Sequence, residues 1–352
     1  MNAQQVGIGL SGGVDSAIAA HLLVRDGYRV TGFFMRLPVS EVDAQEQRAR
    51  KVADSIGIPL EIVDLQHQFQ QQVVQPFLQQ YQQGRTPNPC VCCNRHIKFG
   101  LLARYMLDRG MDRVASGHYA RVESKPQETY TLRRGVDQGK DQSYFLCRLG
   151  QRQLASMLLP LGDFHKDEVK TLAASMGLTD KVGTESQDVC FLEDGLTMFL
   201  VKHGHEGRPG EIHSIDGRVL GNHPGINRYT IGQRRGLGLP DATPWYVVRL
   251  DPHNNRVIVG KHDDLFTKSF YIDDLHWTGR EKQLPWQGEV QLRSRHRSAP
   301  ATLTRAGERW LVTCNESQRA VTPGQYAVFY DRDQVIASGI IDTNVPEAHP
   351  EP

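Results

Sequence analysis

Two stretches of this chain hold residue types at spacings that can do chemistry. The first is Ser11-Gly12-Gly13-Val14-Asp15-Ser16, entered through the apolar residues Val6, Ile8 and Leu10. Adjacent glycines let the backbone turn with no Cβ in the way, so several N–H groups can converge on one point. A helix beginning on the far side adds partial positive charge there. Ser11 and Ser16 supply hydroxyls, and Asp15 is a candidate magnesium ligand. The candidate phosphate cradle is therefore Gly9, Leu10, Ser11, Gly12, Gly13, Val14, Asp15 and Ser16. It has neither the lysine of a Walker loop nor the spacing of a dinucleotide-binding turn. A glycine-rich turn without a ligand is the plain alternative.

The second stretch is Thr86-Pro87-Asn88-Pro89-Cys90-Val91-Cys92-Cys93-Asn94-Arg95-His96-Ile97-Lys98-Phe99. Its prolines argue against a helix before Cys90. The pattern predicts an amphipathic helix from near Asn94 that carries Ile97, Leu101, Leu102 and Tyr105. Cys93 then lies beside the helix N-terminus, flanked by Arg95 and Lys98, a setting that lowers a thiol pKa. Cys90 and Cys93 also have Cys-x-x-Cys spacing, which suits zinc or iron–sulfur ligation. No second such pair is present to close a zinc site. Cys190 stands in a polar stretch, 184–191, and its meaning depends on Cys93. Cys147 and Cys314 lie in apolar surroundings and read as inert core thiols.

The elements that must position these residues follow from periodicity. Strand-like runs at 29–35 and 59–65 alternate with helical patterns at 41–56 and 67–83. Arg113 to Val122 gives a further strand and turn, and 129–134 a hairpin strand. Helices are expected at 151–159 and 166–176. This alternation predicts a doubly wound parallel α/β domain. Met35, at the end of its strand, could line an adenine pocket or fill a core. Gly117 permits close backbone approach to a nucleotide. His118 is either a phosphate contact or a strand-end histidine with an ordinary hydrogen bond. Lys140 and Gln142 suit RNA or phosphate, whereas Tyr144 and Phe145 suit a core. Beyond residue 200 glycine and short alternating runs take over. Residues 201–262 hold nine Lys and Arg against five Asp and Glu, a local excess of 9 − 5 = +4. Six alternating strands after residue 265 predict a small β-barrel. Its Arg293, Arg295, His296 and Arg297 form a basic cluster, either a solvated edge or a phosphate contact. The tail from Pro346 reads as disordered.

The formal net charge of +1 gives no global nucleic-acid signal, so any basic footprint is local. No apolar run approaches a membrane span, and no signal core opens the chain, so a cytoplasmic protein without a membrane partner is expected. Six cysteines in 352 residues do not make a disulfide framework.

The loop at 11–16 resembles the pyrophosphatase loop of enzymes that split ATP into AMP and pyrophosphate. With 86–99, 117–119, 140–146, Cys190-Phe191, 207–210 and 229–237 it resembles, over nearly the whole chain, the tRNA-specific 2-thiouridylase family. The resemblance implies an adenine nucleotide hydrolase-like α/β domain at 1–200, a small mainly-β domain at 201–262 and a C-terminal β-barrel at 263–352. It implies ATP and magnesium as cofactors, and AMP transfer to the C2 oxygen of the wobble uridine, with sulfur then displacing AMP. Cys190 would carry a persulfide from an upstream sulfur donor or cysteine desulfurase. Cys93 would release that sulfur, leaving a disulfide for a thiol reductant to reopen. Asn88, Pro89 and Cys90 would meet the target base. His118, Lys140, Asp141, Gln142, Arg295, His296 and Gln325 would contact tRNA. Cys90 departs from the family pattern, where many members have aspartate. Cys90, Cys93 and Cys190 could then hold three corners of a [4Fe–4S] cluster. Two other classes stay open: a small-molecule amide ligase using the same loop, and a tRNA-binding protein without catalysis.

Overall fold

The computed structural model describes residues 3–125, 129–178, 182 and 189–344. The polar stretch at 184–188 and the tail from Pro346 lie outside them. Strands β1 (Gln5–Gly9), β2 (Arg29–Arg36), β3 (Leu60–Asp64) and β4 (Arg113–Ala115) are the parallel strands foreseen. Parallel neighbours need crossovers, and helices supply them. These include α1 (Val14–Arg25) and α2 (Val42–Ile56), the latter closed by Gly57 in the left-handed region. After β3 come α3 (Gln66–Phe69), a π-helical turn and α4 (Gln75–Gln82). The next crossover is α5 (Pro89–Cys92), a π-helix over Cys93–Leu102 and α6 (Ala103–Asp108).

A hairpin follows, β5 (Ala120–Lys125) and β6 (Thr129–Arg134), and then α7 (Gln151–Ser156). Here the structure departs from the expected helix over 151–159. The helix stops at Ser156, and Met157 and Leu158 form β7, pairing with Val114 and Ala115. A short apolar run beside a sheet edge fits the strand better than another helical turn. The parallel order is β3-β2-β1-β4-β7, with β1 central and both faces covered by apolar clusters. Helices α8 (Lys166–Ser175) and α9 (Gly195–Lys202) complete this part.

The next strands, β8 (Gly210–Ser214), β9 (Val219–His223), β10 (Tyr246–Asp251) and β11 (Arg256–Gly260), form a four-stranded sheet with its own core, including Ile212, Val247 and Val257. The last six are β12 (Phe266–Trp277), β13 (Trp286–Gln291), β14 (Ala299–Ala306), β15 (Arg309–Arg319), β16 (Tyr326–Asp331) and β17 (Gln334–Asn344). β12 pairs with both β15 and β17, which closes an antiparallel barrel and removes its edges. The β5–β6 hairpin extends the barrel's sheet through Arg133 against Gln334. One apolar cluster is shared: Val91, Phe99 and Tyr144 pack with Tyr326, Val328 and Tyr330 of the barrel. Among the described residues no helix is long and apolar enough to cross a membrane.

Candidate active site

The loop after β1 turns at Gly12, whose φ is +77°. A Cβ there would come within 2.9 Å of Arg48 Cβ and the Gln45 carbonyl, so only glycine fits against α2. Gly13 has ordinary extended dihedrals and needs no such licence. Ser16 Oγ donates to the Gly13 carbonyl at 3.0 Å, accepts the Ser11 N–H at 3.2 Å and lies 3.2 Å from Ser11 Oγ. No side chain caps α1, which leaves its first-turn N–H groups to an anion. This loop fits a phosphate.

Asp15 is less available for a metal. Lys166 Nζ, on α8, donates to both its carboxylate oxygens at 2.7 and 2.8 Å, and Tyr119 Oη donates to one at 2.8 Å. Lys166 is buried, 4% exposed. Magnesium therefore does not fit on Asp15 as it stands, because an ammonium already neutralises the carboxylate. Sequence reasoning saw the helix over 166–176 but gave Lys166 no role. A lone lysine opening a helix carries no local signal that a loop 151 residues upstream is its partner.

Gly117 does allow a close approach, but to the protein itself. A Cβ on it would lie 2.8 Å from the Asp15 backbone carbon, so the space expected for a nucleotide holds the first turn of α1. Met35 is half-buried against the cluster that contains Cys93 and Phe191.

The cysteine helix begins earlier than its prolines suggested. Asn88 is the N-cap, its Oδ1 accepting the Val91 N–H at 3.4 Å, and Pro89 opens the helix. Proline at the first position loses no hydrogen bond, and its φ is preset for the helix. Cys93 is thus inside the helix and buried. Burial pushes its thiol up to about 12, with Cys190, Cys90 and Cys92 adding to the rise and Lys98 opposing it. The expected low-pKa thiolate is overturned: desolvation outweighs one nearby ammonium.

Cys190 arrives by packing rather than by pattern. Phe191 is buried against Phe69, Phe77 and Phe199, with ring centroids 5.7, 5.2 and 5.1 Å away. Glu193 accepts the Ser40 N–H at 3.1 Å, just beyond β2. These contacts hold Cys190 over the C-terminal edge of the parallel sheet. α6 leads into β4, so the start of its helix, with Cys90 and Cys93, lies at that same edge, as does the loop after β1. Cys190 is exposed as a residue, yet burial of its sulfur, with Cys90 beside it, pushes its thiol up to about 11, again against Lys98. Burial also raises Cys90, and Lys98 opposes that too. Cys92 instead sits 3.7 Å from Tyr326 Oη of the barrel. Among the described residues no three His, Cys, Asp or Glu side chains converge as a metal-ligand set. Cys90, Cys93 and Cys190 are nonetheless electrostatic neighbours.

The residues expected at tRNA divide. His118 is buried, hydrogen-bonded at 2.8 Å to Ser116 Oγ and packed on Phe99, and burial holds its imidazole neutral. It presents neither charge nor surface to a phosphate. Asp141 accepts the Gly135 and Ser143 N–H groups, each at about 3.1 Å or less, and pairs with Arg134 at 3.0 Å. Gln142 Oε1 accepts the Tyr119 N–H. Both are loop braces, and Lys140 stands half-exposed between them and Gly139. Arg295 is exposed. His296 and Gln325 come together with Thr86, Thr230, Arg293 and Arg319 around a cavity of about 210 Å³ where all three regions meet. Burial pushes the His296 imidazole down, and its Nδ1 has no partner, so the arginines carry the cavity's charge. Gln325 Nε2 donates to the Thr86 carbonyl at 2.8 Å, and Thr86 N–H donates to Pro323 at 2.8 Å. The barrel therefore holds the segment that leads into the cysteine helix.

Sheet order, phosphate loop and appended barrel define a HUP-type nucleotide-binding α/β protein with two β modules. The family models agree along the chain: a tRNA methyl transferase HUP domain matches residues 4–194, a tRNA methyl transferase PRC-barrel domain 197–261 and an aminomethyltransferase beta-barrel domain 267–341. A tRNA-specific 2-thiouridylase from Desulfotalea psychrophila is 45% identical over 339 residues, 95% of this chain and 98% of that one. Those of Syntrophotalea carbinolica and Carboxydothermus hydrogenoformans are 43% and 40% identical, over 95% and 96% of this chain and 97% and 98% of theirs. The chain belongs to the tRNA-specific 2-thiouridylase family.

Proposed function

We propose that this protein replaces the C2 oxygen of the tRNA wobble uridine with sulfur, consuming ATP and releasing AMP and pyrophosphate. The observation that carries this reading is that Cys93 and Cys190 are electrostatic neighbours that share Lys98, at the sheet edge that also bears the 11–16 loop. A carbonyl oxygen is a poor leaving group, and ATP supplies the AMP that makes it expendable. The uncapped amides of α1, with Ser11 and Ser16, hold the departing pyrophosphate. Lys166 keeps Asp15 oriented below them.

Cys190 is the most exposed of the three residues, so an upstream sulfur donor or a cysteine desulfurase loads it with a persulfide. Cys93 is too buried for a protein donor to reach. Its thiolate attacks Cys190 Sγ, the terminal sulfur leaves to displace AMP, and a Cys93–Cys190 disulfide remains for a thiol reductant. Of the residues expected at the base, Asn88 and Cys90 keep surface, while Pro89 is buried beneath them. Arg293, Arg295 and Arg319 suit tRNA phosphates at the junction cavity. C2 is inaccessible in a stacked helix, so the uridine enters unstacked.

The test incubates the protein with unmodified tRNA, ATP, magnesium and a persulfide donor, then analyses nucleosides by mass. One AMP and one pyrophosphate per 2-thiouridine is the expected result. ATP turnover without tRNA, retained in the Cys93→Ser and Cys190→Ser proteins, would overturn it in favour of a small-molecule ligase.

A further inference from the structure

We infer that Cys90 is a third working thiol, which resolves the Cys93–Cys190 disulfide by closing its own disulfide to Cys93. This rests on the sulfur-transfer reading above and extends it. The helix makes the choice between the two spare cysteines. Cys90 and Cys93 stand one turn apart, about 60° around the axis with Cα atoms roughly 5 Å apart. Disulfides span Cα separations of roughly 4.4–6.8 Å, so this pair needs only a local adjustment in the first turn. Cys92 is about 160° from Cys90 around the same axis and is occupied by Tyr326 Oη. Cys90 and Cys93 both act on Cys190 or are acted on by it, and all three share Lys98. Exposure then orders them: Cys190 is exposed, Cys90 half-buried and Cys93 buried.

That order explains why a resolving thiol is useful. Cys190 is the exposed residue of the pair, so a soluble reductant meets the Cys93–Cys190 disulfide from its side. It would leave its own adduct on the sulfur that the donor must load. In the proposed step the Cys90 thiolate attacks Cys93 Sγ, and the Cys93–Cys190 bond breaks. Cys190 departs as a thiolate and takes up the proton that Cys90 gave. No electrons enter or leave, since the oxidised pair has moved from 93–190 to 90–93. Cys190 is then free for reloading, while a dithiol reductant opens the new disulfide at Cys90, its more accessible end.

Disulfide mapping tests this in the full-length protein, with Cys90→Ser and Cys90→Ala so that one poorly folded variant does not decide it, and Cys92→Ser as a control. One arm runs a single turnover with persulfide-loaded protein, tRNA and ATP. The other uses about one equivalent of diamide alone. Both are quenched with acid and N-ethylmaleimide and digested for mass analysis. The expected product in wild type and Cys92→Ser is a 90–93 disulfide with Cys190 alkylated. In both Cys90 variants the 93–190 linkage should rise about tenfold or more. A 93–190 or 90–190 linkage as the main wild-type product in both arms overturns the resolving role and leaves sulfur transfer standing. A 90–93 linkage with diamide but no disulfide after turnover overturns the sulfur-transfer reading, and the resolving step with it.

Discussion

Cys93 and Cys147 make an instructive pair. Both are buried, and burial pushes both thiols up to about 12. Cys147 is sealed in the core shared with the barrel, beside Ser338 and Arg148, and its neighbouring thiol is Cys92, which stands against Tyr326. Cys93 has Cys190, Cys90 and the Lys98 ammonium as electrostatic neighbours. Thiol acidity alone does not separate the cysteine proposed to work from the one proposed to be idle. The difference lies in which other cysteine stands beside each: Cys190, on an exposed residue, for Cys93, and the half-buried Cys92 for Cys147.

The strongest way to break this comparison is to remove the thiols one at a time. Cys93→Ser and Cys190→Ser should each lower thiolation on the order of 10⁴-fold, with little further loss in the double variant, because the two act as a unit. Cys147→Ser should leave turnover within about threefold while costing about 1–3 kcal/mol of stability in urea unfolding, through a buried hydroxyl. Equal losses of activity for Cys93→Ser and Cys147→Ser would erase the distinction.

A second prediction concerns the cation at the other half of the site. Removing Lys166 leaves Asp15 without its ammonium, and Lys166→Met should cost about 3–5 kcal/mol. The Asp15→Asn, Lys166→Met double variant should recover most of that loss in the same urea titration. Additive costs would mean the two do not depend on each other.

Smaller effects sharpen the role of Lys98. Its ammonium favours the thiolate forms, so Lys98→Met should raise the thiol pKa values and slow iodoacetamide labelling of Cys190 about tenfold at neutral pH. With the Cys190 thiol pushed up to about 11, labelling should rise about tenfold per pH unit from 7 to 9, since the thiolate remains the minor form throughout. A plateau below pH 8 would contradict the burial that sets its pKa. Finally, anaerobically purified protein should be colourless and free of iron and still thiolate tRNA. Iron at one cluster per chain, lost together with activity, would instead assign Cys90, Cys93 and Cys190 to a cluster.

Legibility in the sequence followed locality. The 11–16 turn could be read because its function lies in consecutive residues. Ser11, Gly13 and Ser16 make their closing contacts within five positions. The six barrel strands were visible by alternation, and the cysteine cluster by its density. What escaped was non-local. Lys166 reaches Asp15 from a distant helix. The short β7 reads as helix until Val114 and Ala115 are beside it. His118, Asp141 and Gln142 have the chemistry of RNA contacts, but burial and hydrogen bonds within the chain take them up. Cys93 looked activated because a neighbouring lysine is visible in sequence and desolvation is not.

The unusual winding over Cys93–Leu102 carries one last consequence. A π-type ladder accommodates about one more residue per turn than an α-helix. Deleting a single position between Arg95 and Leu101, with the winding otherwise kept, would shift the upstream turns by one residue. Everything upstream would then swing about 100° around the axis. Cys93 would move away from Cys190 with its chemistry intact and its direction lost, so this segment should tolerate substitution far better than a change in length.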